Sequence, residues 1–313
     1  MRRLLAQPWL WAWLAALATW AVTGLVTGGM GAGEVLTAAF TFATFSVIVA
    51  LGQMFVITLG PGNVDLSIPA TITLAGAVAT KIMDTQDSLI LPGLLVALLI
   101  GVLVGCFNFL LILALRIPPI IATLSSSFLV QSTAIAFGRG LRIKPPPALA
   151  DFTTAQLHGV PVLAVCTALL TALMGVVLHR TVYGRWVTAI GQNSRAAHLA
   201  GVDVSRTRFL TYVLSATLAS LCGYLLSGFS GGASLSMGEE YLLTSIAVVV
   251  IGGTSVAGGF ANVTGLWGAA LFLFLTVTML NTYGFGAGIR YLATGLIIIA
   301  VIVAASARRL GRA

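Results

Sequence analysis

Few side chains in this sequence are placed to do chemistry. Asp65 is the most conspicuous: it stands in Gly60-Pro61-Gly62-Asn63-Val64-Asp65-Leu66-Ser67, with apolar sequence on both sides. Two glycines around a proline cannot continue a helix. Asp65 or Ser67 then either caps the next helix in a turn, or belongs to a broken backbone lining a solute pathway, and the two readings are compatible. Glu239 and Glu240 are adjacent carboxylates, but no partner for acid–base work accompanies them, and a solvated loop accounts for them. His158, His179 and His198 are far apart, and Cys106, Cys166 and Cys222 lie singly in apolar runs. No metal set, redox pair or Ser/His/Asp arrangement is suggested. The only lysines, Lys81 and Lys144, are not in a phosphate-binding Gly-x-x-x-x-Gly-Lys-[Ser/Thr] loop. The sequence therefore points away from an enzyme, with no cofactor and no nucleotide site of its own.

Neutral polar groups are more promising. Asn108 follows Gly101-x-x-x-Gly105, and Thr123, Ser125, Ser126, Ser127, Gln131, Ser132 and Thr133 crowd one apolar stretch. Asn108 is either a helix–helix hydrogen bond or a pathway group. The hydroxyls either bond to their own helix or line a path for a hydroxylated solute. On polarity and break points, the candidate translocation path is Asn63, Asp65, Ser67, Asn108, Thr123, Ser126 and the Gly252-Gly253-Thr254 turn.

The elements that must hold these groups are membrane helices. Of 313 residues, 58% are hydrophobic and 8% charged, with mean hydropathy +1.05, whereas a soluble domain is roughly 25% charged. The expected class is all-α: a single polytopic domain over residues 1–313, surrounded by a lipid bilayer. The 35 glycines suit close helix packing in lipid. Apolar runs predict about ten transmembrane helices, near 9–27, 36–59, 68–82, 89–115, 120–137, 160–178, 209–229, 241–256, 263–283 and 289–305. Trp9, Trp11 and Trp13 suit an interfacial belt at the first of them. With both termini cytoplasmic, 11 of the 16 basic residues fall inside and 5 outside, against an outward lean of the acids. The net charge of +8 is thus a topology signal rather than a nucleic-acid footprint. The Arg139–Lys144 cluster is the exception to this count.

The longest polar interruption is the loop 180–208, cytoplasmic in that topology, with Arg180, Arg185, Arg195, Arg206 and Arg208. It contains a short helix that Asn193 or Ser194 can cap and Gly201 can close in a left-handed turn, after which Asp203 or Ser205 caps the next span. A capped helix too small to be a domain, pinned between two spans, is suited to being gripped from outside the membrane. A transporter without its own energy source but with such a handle points to an ATPase on another chain.

Here the sequence resembles a known family. Ile190-Gly191-Gln192-Asn193-Ser194-Arg195-Ala196-Ala197-His198-Leu199-Ala200-Gly201-Val202 is similar to the coupling-loop motif of ribose-type sugar ABC importer permeases. Asn63-Val64-Asp65-Leu66-Ser67 with Ala75-Gly76 resembles that family's Asp-Leu-Ser signature. Arg116-Ile117-Pro118-Pro119-Ile120-Ile121-Ala122-Thr123-Leu124 and Val250-Ile251-Gly252-Gly253-Thr254-Ser255 with Gly258-Gly259 resemble two further blocks. All four occur in family order. Arg195 departs from a common Glu, and Glu239-Glu240-Tyr241 departs from a common Glu-Leu-Asp form.

The resemblance implies a bacterial inner-membrane permease subunit that works with a second permease copy, identical or paralogous. A cytoplasmic ABC ATPase would bind the ATP, and a periplasmic sugar-binding protein would dock outside. ATPase coupling would fall to Gly191, Asn193, Arg195, Ala196, Ala197, Gly201 and Val202. Substrates other than a monosaccharide, namely a nucleoside, an autoinducer or a branched-chain amino acid, fit the same layout. A stand-alone secondary transporter is the alternative from another class, and it would need ion-coupling residues in the spans.

Overall fold

The computed structural model describes residues 8–29, 31–139, 143–286 and, further on, 288, 289, 292, 293, 295–297, 299 and 300. The chain is an all-α polytopic membrane protein. Its helices are α1 (Pro8–Val26), α2 (Ala32–Thr58), α3 (Ile68–Met83), α4 (Ile90–Leu115), α5 (Pro119–Gly138), α6 (Pro147–Thr154), α7 (Val162–Arg180), α8 (Val182–Gln192), α9 (Ser194–Leu199), α10 (Val204–Phe229), α11 (Tyr241–Ile251) and α12 (Thr264–Thr282). One two-residue antiparallel ribbon pairs β1 (Gln156–Leu157) with β2 (Val160–Pro161).

Seven of these segments are long and apolar enough to cross a membrane: α1, α2, α4 with its leading turn, α5, α7, α10 and α12. Two predicted spans are shorter than a crossing. α3 has 16 residues and α11 has 11, about 24 and 17 Å of helix against a hydrocarbon core of about 30 Å. The cause is local. Gly60 and Gly62 (φ +118° and +80°) keep the chain non-helical up to the predicted start of α3 at Ile68, and Gly252 with Gly253 (φ +94°) stops α11 well before the predicted end at Val256. Most of the last predicted span, 289–305, lies outside the described residues, as do Arg2, Arg3, Arg308, Arg309 and Arg312; the described residues between 288 and 300 are helical.

The connections form two groups. At one end Asp87 Oδ1 accepts from Ala148 N, and Thr37 donates to Gly159 O; Gln131 Nε2 donates to Leu235 O. At the other end Gly259 N donates to Thr58 O, a Cβ on Gly60 would stand 3.7 Å from the Gly191 backbone, and Trp13 Nε1 donates to Thr264 O. α4, with 26 residues, separates its two ends by about 39 Å.

α10 is the hub, packed on α2, α3 and α4; α12 packs on α1, α2 and α11, and α5 lies on α3 and α4. Small residues permit this. A Cβ on Gly105 would stand 2.5 Å from Val213 Cα, and one on Gly52 would stand 2.8 Å from Ser215 Cα. The predicted Gly101-x-x-x-Gly105 face is thus the seam between α4 and α10. The opposite side of α4 exposes Leu91, Leu95, Leu99 and Leu103 at four-residue spacing, a stripe that belongs in lipid.

The loop 139–158 is more structured than its Pro145-Pro146-Pro147 run suggests. Pro147 opens α6, since its missing N–H falls on a helix position that needs none. α6 then buries Leu149 on Gly228 of α10.

Candidate functional site

The break between α2 and α3 is tied down from every side. Asp65 has no exposed surface. Its Oδ1 accepts from Ser67 N at 3.0 Å and from Ser67 Oγ at 2.6 Å, and its Oδ2 accepts from Ser215 Oγ of α10 at 2.8 Å. Its own N–H donates to Gln53 Oε1 of α2. Ser67 Oγ accepts in turn from Asn108 Nδ2 of α4 at 2.8 Å. Leu66 N donates to Thr123 Oγ1 of α5, which donates to Val64 O. Tyr212 OH of α10 donates to Asn63 Oδ1.

Five of the nine candidate pathway residues, Asn63, Asp65, Ser67, Asn108 and Thr123, therefore meet in one buried cluster. It joins four helices to a segment whose backbone cannot satisfy itself. Asp65 takes the Ser67 amide in an Asx turn, and Ser67, at the helix start, makes no cap of its own. Of the two readings left open for Asn108, the structure shows the interhelical hydrogen bond, from its Nδ2 on α4 to Ser67 at the head of α3. Ser126 is buried one turn beyond Thr123 on α5. Gln53 Nε2, Asn108 Oδ1 and Ser126 Oγ are buried polar atoms left without a hydrogen-bond partner.

Gly252, Gly253 and Thr254 are elsewhere. Gly252 packs against Gly265 of α12, and Thr254 Oγ1 accepts from Asn262 N at 3.1 Å, closing a turn. That turn carries Gly258 and Gly259 back to the break. Gly258 packs on Gly60, while Gly259 packs on Gln192 and donates to the last carbonyl of α2 at 2.9 Å.

The short helix of the 180–208 loop has both ends closed by its own residues. Asn193, rather than Ser194, caps it, with Oδ1 accepting from Ala196 N at 2.9 Å. Gly201 is left-handed (φ +85°), with Gly201 N donating to His198 O and Val202 N to Ala197 O, both at 3.0 Å. This is the paired-bond arrangement that seals helix carboxyl ends. Asp203, rather than Ser205, caps α10 by accepting from Arg206 N at 2.9 Å.

α8, which the sequence reading missed, forms the base of this helix. Gly184, Val187 and Ile190 recur every three residues and are all buried. Tyr183 bonds Thr211 of α10 at 2.8 Å and stacks on Phe55 of α2. Burial pushes its phenol up to about 12, the Thr211 hydrogen bond opposing, so it stays a neutral partner at physiological pH.

The seven candidate coupling residues have different placements. Ala197 and Val202 are buried and face the protein. Gly191 is wedged where a Cβ would strike the Thr58 carbonyl and the Gly259 amide. Asn193, Arg195, Ala196 and Gly201 are exposed. Leu199, not singled out from sequence, is an apolar side chain at 81% exposure on the outer face of α9.

A family model described as branched-chain amino acid transport system / permease component matches residues 35–305. The chain belongs to this permease family. The autoinducer 2 import system permease protein LsrC of Enterobacter sp. (strain 638) is 31% identical, covering 97% of this chain and 88% of that protein. The ribose import permease protein RbsC of Bacillus subtilis (strain 168) is 30% identical over 82% of this chain and 80% of its own length. Its namesake in Haemophilus influenzae is 28% identical over 83% of this chain and 81% of its own length. No solved structure matches.

The four sequence blocks of this permease are thus parts of two assemblies. The Asp65 block and the Pro119–Thr123 block share the buried polar cluster. The Gly258-Gly259 turn and the Ile190–Val202 block share a glycine contact with the α2 end at Gly60. Gln53, Ser215 and Tyr212, which complete the polar cluster, were not singled out from sequence. Each lies in a long apolar helix, Ser215 and Tyr212 far from the break in sequence, and only the fold brings them to it.

Proposed function

We propose that this permease is the translocation subunit of an ATP-driven importer for a small neutral hydroxylated solute, a monosaccharide before others. In this reading ten segments traverse the bacterial inner membrane with both termini cytoplasmic, α3 and α11 doing so together with the non-helical stretches 60–67 and 252–263 that adjoin them. The end carrying α9 faces the cytoplasm, and α9 seats in a groove of a separate ATPase. A second permease copy completes the path, and a periplasmic binding protein delivers the solute from the other face. The observation that carries the reading is α9 itself. It is a helix held from behind by Ala197 and Val202 and closed at both ends by its own residues. It presents Arg195, Ala196 and Leu199 outward.

Nothing in α9 needs a partner to fold, so its outward face is free to bind one. Of the candidate coupling residues, Arg195 and Ala196, joined by Leu199, form the contact surface. Gly191, Asn193, Ala197, Gly201 and Val202 hold that surface in place. The unpartnered Gln53 Nε2, Asn108 Oδ1 and Ser126 Oγ are groups a sugar hydroxyl can bond when the helices part. Autoinducer 2 is the second reading for the solute, because the relative named for it spans nearly the whole chain.

The test is purification of the tagged permease from gently solubilised native membranes, with identification of every co-purifying chain. Recovery of an ATPase and a binding protein supports the importer, and the binding protein then reports the solute. A protein that comes out alone and moves solute in ATP-free liposomes overturns it.

A further inference from the structure

A cavity of about 850 Å³ opens beside the coupling helix, between the end of α4, the start of α10 and the Pro61–Asn63 break. Its polar wall is basic: the lining includes Arg116, Arg208 and His198. The facing carboxylate is Asp203, whose Oδ1 is engaged by the Arg206 amide at the head of α10. Arg208 Nε is buried and has no acceptor. Arg116 ends α4 in a left-handed conformation at φ +51°, which costs a non-glycine residue roughly 1–2 kcal/mol. Termination alone would be served better by glycine, so the guanidinium is what that position gains. The 26-residue helix α10 also directs its positive end at the cavity. On the membrane side the wall changes to Phe109, Ile112 and Leu113, and Leu113 is itself exposed to lipid.

We propose that this cavity binds a phosphate group: the two arginines hold the anion, and the Phe109–Leu113 wall receives the alkyl chains when the phosphate belongs to an anionic phospholipid. Guanidinium groups match phosphate geometry. Basic pockets between spans at the membrane surface suit lipid headgroups. A headgroup there would lie directly beneath His198 and Gly201, linking membrane charge to the seat of α9. The inference does not depend on which solute the permease carries or on the ATPase.

The test uses the purified full-length permease in neutral detergent, with native mass spectrometry and thermal unfolding. Phosphatidylglycerol should remain bound and raise the unfolding midpoint where phosphatidylcholine does not. Arg208→Gln and Arg116→Gly should each weaken binding about fivefold, the expected scale for one basic residue at an anionic surface. Arg116→Gly relieves backbone strain, so it tests the charge without threatening the fold if Arg208→Gln destabilises. Inorganic phosphate alone reproducing the shift, with the same sensitivity to both arginines, supports the phosphate site and assigns it to a soluble source. Phosphatidylglycerol binding that is no tighter than phosphatidylcholine, with no response to phosphate, overturns the proposal. So does lipid binding that both variants leave unchanged.

Discussion

Replacing Asp65 separates an architectural carboxylate from an ionic one. In Asp65→Ala, Ser67 N, Ser67 Oγ and Ser215 Oγ lose their shared acceptor in a site with no exposed surface. A buried donor left unpaired costs about 1–3 kcal/mol. The Ser67 amide has nowhere to turn, while the two hydroxyls can rotate toward other carbonyls, so the sum comes to about 3–6 kcal/mol. Asp65→Asn behaves differently. The amide has the same shape, its oxygen still serves Ser67, and its nitrogen can donate to Ser215 Oγ in the reverse sense. It also removes a buried charge whose hydrogen-bond donors are all neutral, which offsets the weaker bonds. Asp65→Asn should stay within about 1–2 kcal/mol of the parent. The assay is thermal unfolding of purified protein together with membrane abundance and solute uptake. The expected order is parent close to Asn and far above Ala, with uptake following abundance. An Asn variant that unfolds as early as Ala would refute the hydrogen-bond account. A stable Asn variant that transports nothing would show that the charge itself acts in transport.

Gly191→Ala should destabilise by about 1–3 kcal/mol or more, because the new methyl meets the backbone of Thr58 and Gly259, where the chain cannot yield easily. Gly201→Ala meets nothing within 4 Å and pays only for its φ of +85°, roughly 1–2 kcal/mol, and Gly201→Asn should recover part of this; unfolding midpoints that reverse the order of the two alanine variants would contradict the packing account. Leu199→Asp should leave the midpoint within the range of ordinary surface changes, about 0.5 kcal/mol, yet abolish ATPase co-purification; retained ATPase would rule out the outer face of α9 as the docking surface. Asn193→Ala should cost about 1 kcal/mol and speed hydrogen exchange in residues 194–199 specifically, and unchanged exchange there would mean the cap is not what holds the helix.

What was legible in the sequence was whatever rests on local chemistry. The caps of α9 and α10 could be narrowed to two residues each, because Asn, Asp and Ser hydrogen-bond their own neighbours. Gly101 and Gly105 announced a close-packed face, and a hydrogen bond across it was one of two readings for Asn108. Local chemistry also misled. A triple proline suggests a stiffened loop, yet Pro147 opens a helix. Sidedness was not legible either: Ala197 and Val202 stand among the coupling candidates, and they are the side that a short helix on a protein must bury. α8 was missed because Arg185 and Thr188 interrupt its apolar content, leaving only the three-residue spacing of Gly184, Val187 and Ile190 as a signal.

The partners of Asp65 lay beyond any local reading. Ser215 is 150 residues away and Tyr212 is 149 residues from Asn63, and nothing in the local sequence distinguishes Ser215 from a serine bonding its own helix. The glycines close that gap. Gly52 faces Ser215, and Gly105 faces Tyr212 and Val213, so the small residues that bring the helices together also set the two hydroxyls within reach of the break. This couples the two blocks physically. A side chain at Gly52 or Gly105 would push α10 outward and stretch the Ser215–Asp65 and Tyr212–Asn63 bonds together, with no polar group altered. At the same end of the molecule Gly60 connects this cluster to Gly191 and Gly258. A displacement of the α8–α9 loop therefore bears directly on backbone at the α2–α3 break, with no flexible side chain in between to absorb it. That is the mechanical requirement for a handle on one face to move a broken helix within the membrane.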